Sequence, residues 1–452
     1  MKCSTLRLAL ALALVAAPVA DAWAGGMYLP TRGVRPTARG GAFVAGADDL
    51  SATWFNPAGL GHLSGGSVLI DATFVNQAIE YDRIDSGGNA QPTVDNQAPG
   101  LPIPSIGYAR SLADAAVLAV GVWAPFAGLA KFDVDGPQRY SSVDLSRSLI
   151  ATLGAGVALR LGPKLRIGAT IQNHVTSLQT EIVLSGCPGQ TTCSPEDPEF
   201  DSLNRVDQDD FFNPSGSVGI QYDAAKQVTL GASFQLPVWF RGTGTLHTRL
   251  PASGFFDGAS VEGDRADISF NLPAEIRAGV EYRFGNWRAE LATTVQLWSQ
   301  HEEMRIEPKN VRIVDAPGVG TYELGSMSIP RHFEDTYAAH LGLEGQLGKL
   351  TVRGGYAYET GAAPDEYLSV LTVDGNKHLF AGGAGYRTKV WTFDAVVGYA
   401  VMSARHVEAG EGLAPQLNPI RDTSAMPLTT FVNDGDYRSH WLMIGLGAQR
   451  RL

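Results

Sequence analysis

Apolar and polar residues alternate one for one along much of this chain, in segments of strand length. In 289–298, Leu291, Thr293, Val295 and Leu297 share one face, and Glu290, Thr294 and Gln296 the other. Val228, Leu230, Ala232, Phe234, Leu236, Val238 and Phe240 likewise oppose Thr229, Ser233 and Gln235. Ile276, Ala278, Val280, Tyr282 and Phe284 oppose Glu275, Arg277, Glu281 and Arg283. Successive side chains on a strand point to opposite faces, so each segment is an apolar surface backed by a polar one. The pattern predicts fourteen strands: 66–81, 104–112, 115–124, 145–161, 164–183, 211–223, 226–247, 266–284, 287–306, 332–347, 350–361, 376–387, 389–407 and 436–450. Short connections such as Gly162-Pro163, Ala224-Ala225, Gly285-Asn286 and Gly348-Lys349 interleave with long ones at 82–103, 125–144, 184–210, 307–331 and 408–435. An even strand count, with short periplasmic turns opposite long extracellular loops, describes a transmembrane antiparallel β-barrel. A soluble sandwich shares the alternation, so the start of the chain matters.

Lys2 and Arg7 precede an apolar stretch, Leu8 to Ala17, that is too short to span a bilayer. Ala22-Trp23-Ala24 then offers the small residues that signal peptidase reads. Residues 1–24 are therefore read as a signal peptide cut near Ala24, and Cys3 leaves with it. No later segment reaches the roughly 18 apolar residues of a membrane helix. The chain is exported and carries no helical anchor, which favours the barrel. Hydrophobic content of 44% fits, because half of each barrel strand faces water. Tyr282, Phe284, Tyr356, Tyr358 and Tyr399 gather near strand ends on the apolar face, as an interfacial girdle does.

A net charge of −11, without a basic cluster, excludes nucleic acid as a partner. Cys187 and Cys193 lie six residues apart in a long loop of an exported chain, which predicts a disulfide. A zinc pair is the rival reading, and no histidine accompanies them.

Residues 25–65 break the alternation. Asp48-Asp49 and Pro57 bracket a short helix followed by a turn. Phe43, Leu50, Trp54, Phe55 and Leu60 need burial, and the barrel lumen is the place for it. There Arg32, Arg35, Arg39, Asp48 and Asp49 would meet inward charges of the wall. The expected division is a signal peptide (1–24), an N-terminal plug (25–65) and a barrel (66–452).

The run Arg39-Gly-Gly-Ala-Phe-Val-Ala-Gly-Ala-Asp-Asp-Leu-Ser-Ala-Thr-Trp-Phe-Asn-Pro-Ala-Gly-Leu60 resembles the N-terminal hatch of FadL-type long-chain fatty acid transporters. Its signature is the Asn56-Pro57-Ala58 turn after an Ala-Asp-Asp segment. Val122-Trp-Ala-Pro-Phe-Ala-Gly128 with Arg139-Tyr140 resembles the family's third strand and its extracellular loop. Leu272-Pro-Ala-Glu-Ile-Arg-Ala-Gly-Val-Glu-Tyr282, with Trp287 and Trp298-Ser299, resembles its central hairpin. The resemblance implies a monomeric barrel in the outer membrane of a Gram-negative bacterium, plugged by the hatch. It implies passage of hydrophobic compounds, with long-chain fatty acids first and aromatic or alkane hydrocarbons second. Outer-membrane lipid, lipopolysaccharide and the barrel-assembly machinery are the implied partners, and no cofactor is. The chain ends Gln449-Arg-Arg-Leu452 rather than on the aromatic residue such barrels usually present to that machinery.

Capture would use apolar side chains, since burial releases roughly 25 cal/mol per Å² of ligand surface. Phe43, Trp54 and Phe55 of the hatch, Trp123 of the third strand, and Phe126, Leu129, Phe132, Arg139 and Tyr140 of the following loop are the candidates. Lys131 and Arg139 either meet a ligand carboxylate or are solvated loop charges. Exit in the family is lateral, through a kinked third strand beside the hatch turn. Here Gly121, Val122 and Pro125 would form it, because proline cannot donate to the ladder. Pro125 as a plain strand end is the alternative.

Enzymatic readings find no support in the residues. The nine histidines are scattered, and His174 points inward, away from any outward catalytic set. His301-Glu302-Glu303 cannot chelate from one strand, since neighbours point to opposite faces. Asp207, Asp209 and Asp210 read as a solvated acidic loop rather than a calcium site. No catalytic or metal residue is assigned. A surface receptor or adhesin barrel, with the hatch as mere packing, remains the non-transport alternative.

Overall fold

The computed structural model describes residues 28–112, 115–189, 193–317, 320–420 and 429–452. Fourteen antiparallel strands close a barrel. The signal peptide and its cleavage site lie outside the described residues.

The first four strands are β1 (Gly66–Arg83), β2 (Leu101–Leu112), β3 (Ala116–Ala127) and β4 (Leu149–Leu161). β5 (Leu165–Ser185) and β6 (Asp201–Ala225) are the tallest pair. Four interrupted strands follow. β7 is Val228–Gln235 with Val238–Arg249, and β8 is Arg265–Leu272 with Glu275–Phe284. β9 is Trp287–Gln296 with Glu303–Lys309, and β10 is Met327–Pro330 with Thr336–Leu347. β11 (Leu350–Glu359), β12 (Lys377–Arg387), β13 (Trp391–Met402 with Arg405–Val407) and β14 (Gly435–Arg451) complete the wall. β14 pairs back on β1 from Ser67↔Arg451 to Arg83↔Gly435, so no edge strand remains. Small extra strands at 260–262, 312–316 and 320–323 form a separate sheet among the long loops.

Outward positions carry the predicted apolar band: Ile70, Val120, Leu230, Ile276, Leu341, Val397 and Ile444 are all exposed. Inward neighbours such as Glu281, Glu290, Thr294 and Gln296 are buried. A barrel in water turns polar residues outward along its strands, so an outward apolar band around a polar interior is a lipid-facing wall.

Three expectations are corrected. The acidic run at 201–210 is not a loop; it is the outer half of β6, paired with β5 from Ser185↔Asp201 to Thr176↔Asp210. Its buried inward positions, Ser202, Asn204, Val206 and Gln208, are mostly polar and its outward ones are mostly charged, so it lacks the alternation that reveals a membrane strand. Asp207 there is held by Arg205 at 2.8 Å. Secondly, Val238 and Phe240 do not share the outward face of Val228 to Leu236. They are buried inward, and Trp239 is outward. The ladder is interrupted at Leu236-Pro237, and a one-residue slip moves every later side chain to the opposite face. β8 reverses in the same way at Pro273-Ala274: Ile268 and Phe270 are buried, whereas Ile276 and Val280 are exposed. Thirdly, Pro125 does not end its strand. β3 continues to Ala127 with a register shift between Trp123 and Phe126.

Candidate functional site

The N-terminal segment lies against inward side chains of the short-turn half. It contains α1 (Val34–Ala38), α2 (Ala52–Phe55) and a 3-10 turn at Pro57–His62. Glu290 on β9 organises its middle. Its carboxylate accepts the backbone N–H of Val44 and Ala45, both at 2.7 Å, and of Gly46 at 3.1 Å. The Arg39 guanidinium reaches Glu290 at 2.8 Å and Glu281 at 3.1 Å, all three fully buried. Arg35 pairs with Asp48, Asp49 and Glu344. Arg353 joins Glu344 to Asp394, each at 2.6 Å. Charges so deep persist only when paired and hydrogen-bonded, and here each has its counterpart.

Asn56-Pro57-Ala58 is as rigid as its composition suggests. The Asn56 side-chain amide donates to the carbonyls of Val44 at 2.9 Å and Ile220 at 3.1 Å, and its oxygen accepts the Ala58 N–H. The turn rests on Gly168 of β5 and Gly219 of β6. A Cβ at Gly168 would fall 2.3 Å from the Pro57 carbonyl carbon, and one at Gly219 would fall 2.0 Å from the Asn56 oxygen. The turn is thus seated on β5 and β6, not beside the irregular part of β3 as expected. Leu29 and Trp54 reach that part instead: the Leu29 N–H donates to the Pro125 carbonyl at 3.1 Å, and Trp54 meets Trp123 edge-on at 5.8 Å.

β2 and β3 separate near this contact. Their pairing runs only from Leu112↔Ala116 to Ile106↔Val122, although both strands extend further. Pro102, Pro104 and Pro125 fall in the unpaired reach, and none of them can donate. Inward-facing Gly107, Gly121 and Gly154 form a row across β2, β3 and β4 at the last paired level. The row forms a furrow in which the Trp123 ring lies over Gly121 and Gly154 and Leu50 packs on Gly107. Ile106, Gly107, Gly121 and Val122 line both an inner cavity against Arg32 and Trp54 and an outer apolar groove reaching Phe212.

The sequence candidates fall into three separate places. Phe126, Leu129 and Phe132 join the large apolar cluster of the long-loop half. Phe43, Trp54, Phe55 and Trp123 belong to the cluster between the segment and the wall. Tyr140 sits in a third, with Val143, Val183 and Val432. Arg139 is engaged with Asp201 at 2.7 Å and lies over the Tyr140 ring. Burial pushes the Tyr140 phenol up, and its hydroxyl donates to the same carboxylate. Lys131 pairs with Asp144 at 3.1 Å. Both loop cations are therefore structural. Cys187 and Cys193 are joined as a disulfide, with Cα atoms 5.8 Å apart.

The cation that sequence reasoning missed is Arg331, at the break of β10. It lines an apolar cavity with Tyr28, Leu29, Phe126, Leu129 and Met304. Its side chain is buried, and its Nε and Nη2 have no hydrogen-bond partner among the described residues. Only the Phe333 ring, 5.8 Å away, faces the guanidinium. Lys377, which lines the same cavity, is satisfied by Asp374 at 3.1 Å and Glu359 at 3.7 Å. Nothing in a Pro-Arg-His string marks Arg331, because its isolation comes from packing.

A barrel with an N-terminal segment packed on its inner wall, an apolar cavity above it and a side furrow has the plan of a conduit for water-insoluble cargo. Residues 14–429 match the family model described as outer membrane protein transport protein (OMPP1/FadL/TodX). The chain belongs to that family. It is an outer-membrane transporter of hydrophobic compounds. Among solved structures, a Pseudomonas aeruginosa FadL homologue superimposes with a TM-score of 0.77 at 16% identity, covering 94% of this chain and 100% of its own. The Ralstonia pickettii toluene transporter TbuX gives 0.64 at 17%, covering 94% and 99%. The P. putida toluene transporter TodX gives 0.64 at 16%, covering 96% and 99%. No curated protein sequence matched the chain. At such identities these structures speak for the transporter's fold; its cargo has to be argued from its own side chains.

Proposed function

We propose that this transporter carries long-chain fatty acids. The extracellular loops capture the acid, residues 25–65 act as the hatch that plugs the barrel, and cargo leaves sideways between β2 and β3. The observation that carries the choice of an acid is Arg331. A buried guanidinium without a partner is costly. A carboxylate bound beside it would complete two charge-assisted hydrogen bonds, whereas toluene or an alkane would leave it orphaned. The apolar walls around it, including Leu129 and Met304, suit the chain attached to that carboxylate.

The cavity measures only about 70 Å³, against roughly 300–1,000 Å³ for a pocket that holds a drug-sized ligand. A long chain therefore enters by parting the walls. The side exit rests on the unpaired reach of β2 and β3 and on the glycine row beneath it. Trp54 and Trp123, rather than the Asn56 turn, would border the leaving chain.

Equilibrium binding of palmitate and of 1-hexadecanol to the purified protein tests this reading. Arg331→Gln should weaken palmitate about tenfold or more, as expected for a charge-assisted pair, and leave hexadecanol unchanged. Equal loss for both, or none, would return the choice to neutral hydrocarbons. A wild-type protein that moves neither acid nor hydrocarbon into cells would favour the receptor reading.

A further inference from the structure

A second cation without an acid of its own lies further along the lumen. Arg32, in the N-terminal segment, has its guanidinium carbon 4.6 Å from the Tyr28 ring centroid and 4.3 Å from that of Trp54. Its Nε and Nη2 are buried and find no hydrogen-bond partner among the described residues. Glu275, whose charge acts on Arg32, gives one oxygen to Arg277 while its Oε1 makes no hydrogen bond among the described residues, and Glu359, which also acts on Arg32, is paired with Lys377. So the two flanking rings hold Arg32, and π faces hold a cation more weakly than a carboxylate does.

Arg331 begins one continuous aromatic file, and Arg32 sits within it. Arg331 faces Phe333 at 5.8 Å, Phe333 meets Trp298 at 5.8 Å, and Trp298 meets Tyr28 at 5.3 Å. Tyr28 then passes to Arg32, Arg32 to Trp54, and Trp54 to Trp123 at 5.8 Å. The file begins at the apolar cavity and ends at the furrow of Gly121 and Gly154, where the Trp123 ring lies within 2.5 Å of a Cβ built on Gly154. Arg32 lines the inner cavity at that furrow.

We propose that Arg32 is a second binding station for the anionic head of the cargo, placed on the exit side of the aromatic file. This rests on the carboxylate reading given above. A head group leaving Arg331 travels with its tail along ring faces and re-pairs at Arg32, with no ion pair broken to receive it. The apolar tail then lies toward Trp54, Trp123 and the gap between β2 and β3. A neutral chain of the same length uses the rings alone and gains nothing from Arg32.

The test is uptake into proteoliposomes by the full-length protein, with palmitate and 1-hexadecanol as paired probes, alongside equilibrium palmitate binding. Arg32→Gln should slow palmitate uptake about tenfold, leave hexadecanol uptake unchanged and leave equilibrium palmitate affinity unchanged. Arg32→Lys should restore much of the palmitate rate. Equal slowing of both probes would make Arg32 a packing residue and overturn the proposal, as would an unchanged palmitate rate. Arg331→Gln measured in parallel separates the two readings. Unchanged palmitate affinity in that variant defeats the fatty-acid reading, whereas acid-selective slowing in Arg32→Gln decides the second station by itself.

Discussion

In the short-turn half of the lumen, β8, β9 and β10 turn Glu281, Glu290 and Glu344 inward; in the long-loop half the same strands turn in Phe270, Met304 and Met327. The halves are stacked on shared strands and hold opposite chemistries. Charges in the lower half are matched one to another, so the N-terminal segment is held by directed bonds in a single pose. Apolar contacts in the upper half carry no direction, and a chamber made of them yields to the shape that enters it. The proposed plug and the proposed chamber are thus held together by different kinds of force.

The sharpest way to break this division is Glu290→Ala. It strands three N–H groups and leaves the Arg39 guanidinium with Glu281 alone, a loss of about 3–5 kcal/mol by analogy with other broken buried pairs. The segment should detach, and planar-bilayer conductance should rise well above wild type; an unchanged conductance would mean that the loops seal the pore. Phe240→Ala attacks the other half. Phe240 stacks on Phe270 at 4.6 Å and is fully buried, so its truncation should cost about 3–5 kcal/mol. Heat-modified gel mobility should report the lost stability while conductance stays closed, the opposite signature to Glu290→Ala. A conductance rise here would show that the halves are not independent. The smallest effect belongs to the loop disulfide. Replacing Cys187 and Cys193 by Ser should cost about 2 kcal/mol for so short a loop, seen as faster proteolysis near 187–193 with conductance and folding of the barrel intact.

These two halves also differed in how far the sequence revealed them. The lower wall was legible because lipid outside and polar groups inside impose strict alternation, as in Leu291 to Leu297. Asn56-Pro57-Ala58 was legible as a rigid turn, since amide, fixed φ and small residue each serve in it. Its seat on Gly168 and Gly219 was not, because which strand a plug residue touches is decided by three-dimensional docking. In the upper half, Val238 and Phe240 kept the spacing of the outward face while Pro237 reversed their direction. Spacing counts positions and is blind to a slip. Arg331 escaped, and Arg32, expected to meet a charge of the wall, lies between two rings instead; what sets each apart is an absent ion pair, and a missing neighbour leaves no mark in the string.

The reversals at Pro237 and Pro273 have an evolutionary meaning. Above them, residues that look outward in sequence paint the chamber; below them, residues of the same parity paint the membrane face. On the proposed function, substitutions that retune the chamber fall on positions that touch neither lipid nor the N-terminal segment. Cargo preference and plugging are then free to change separately.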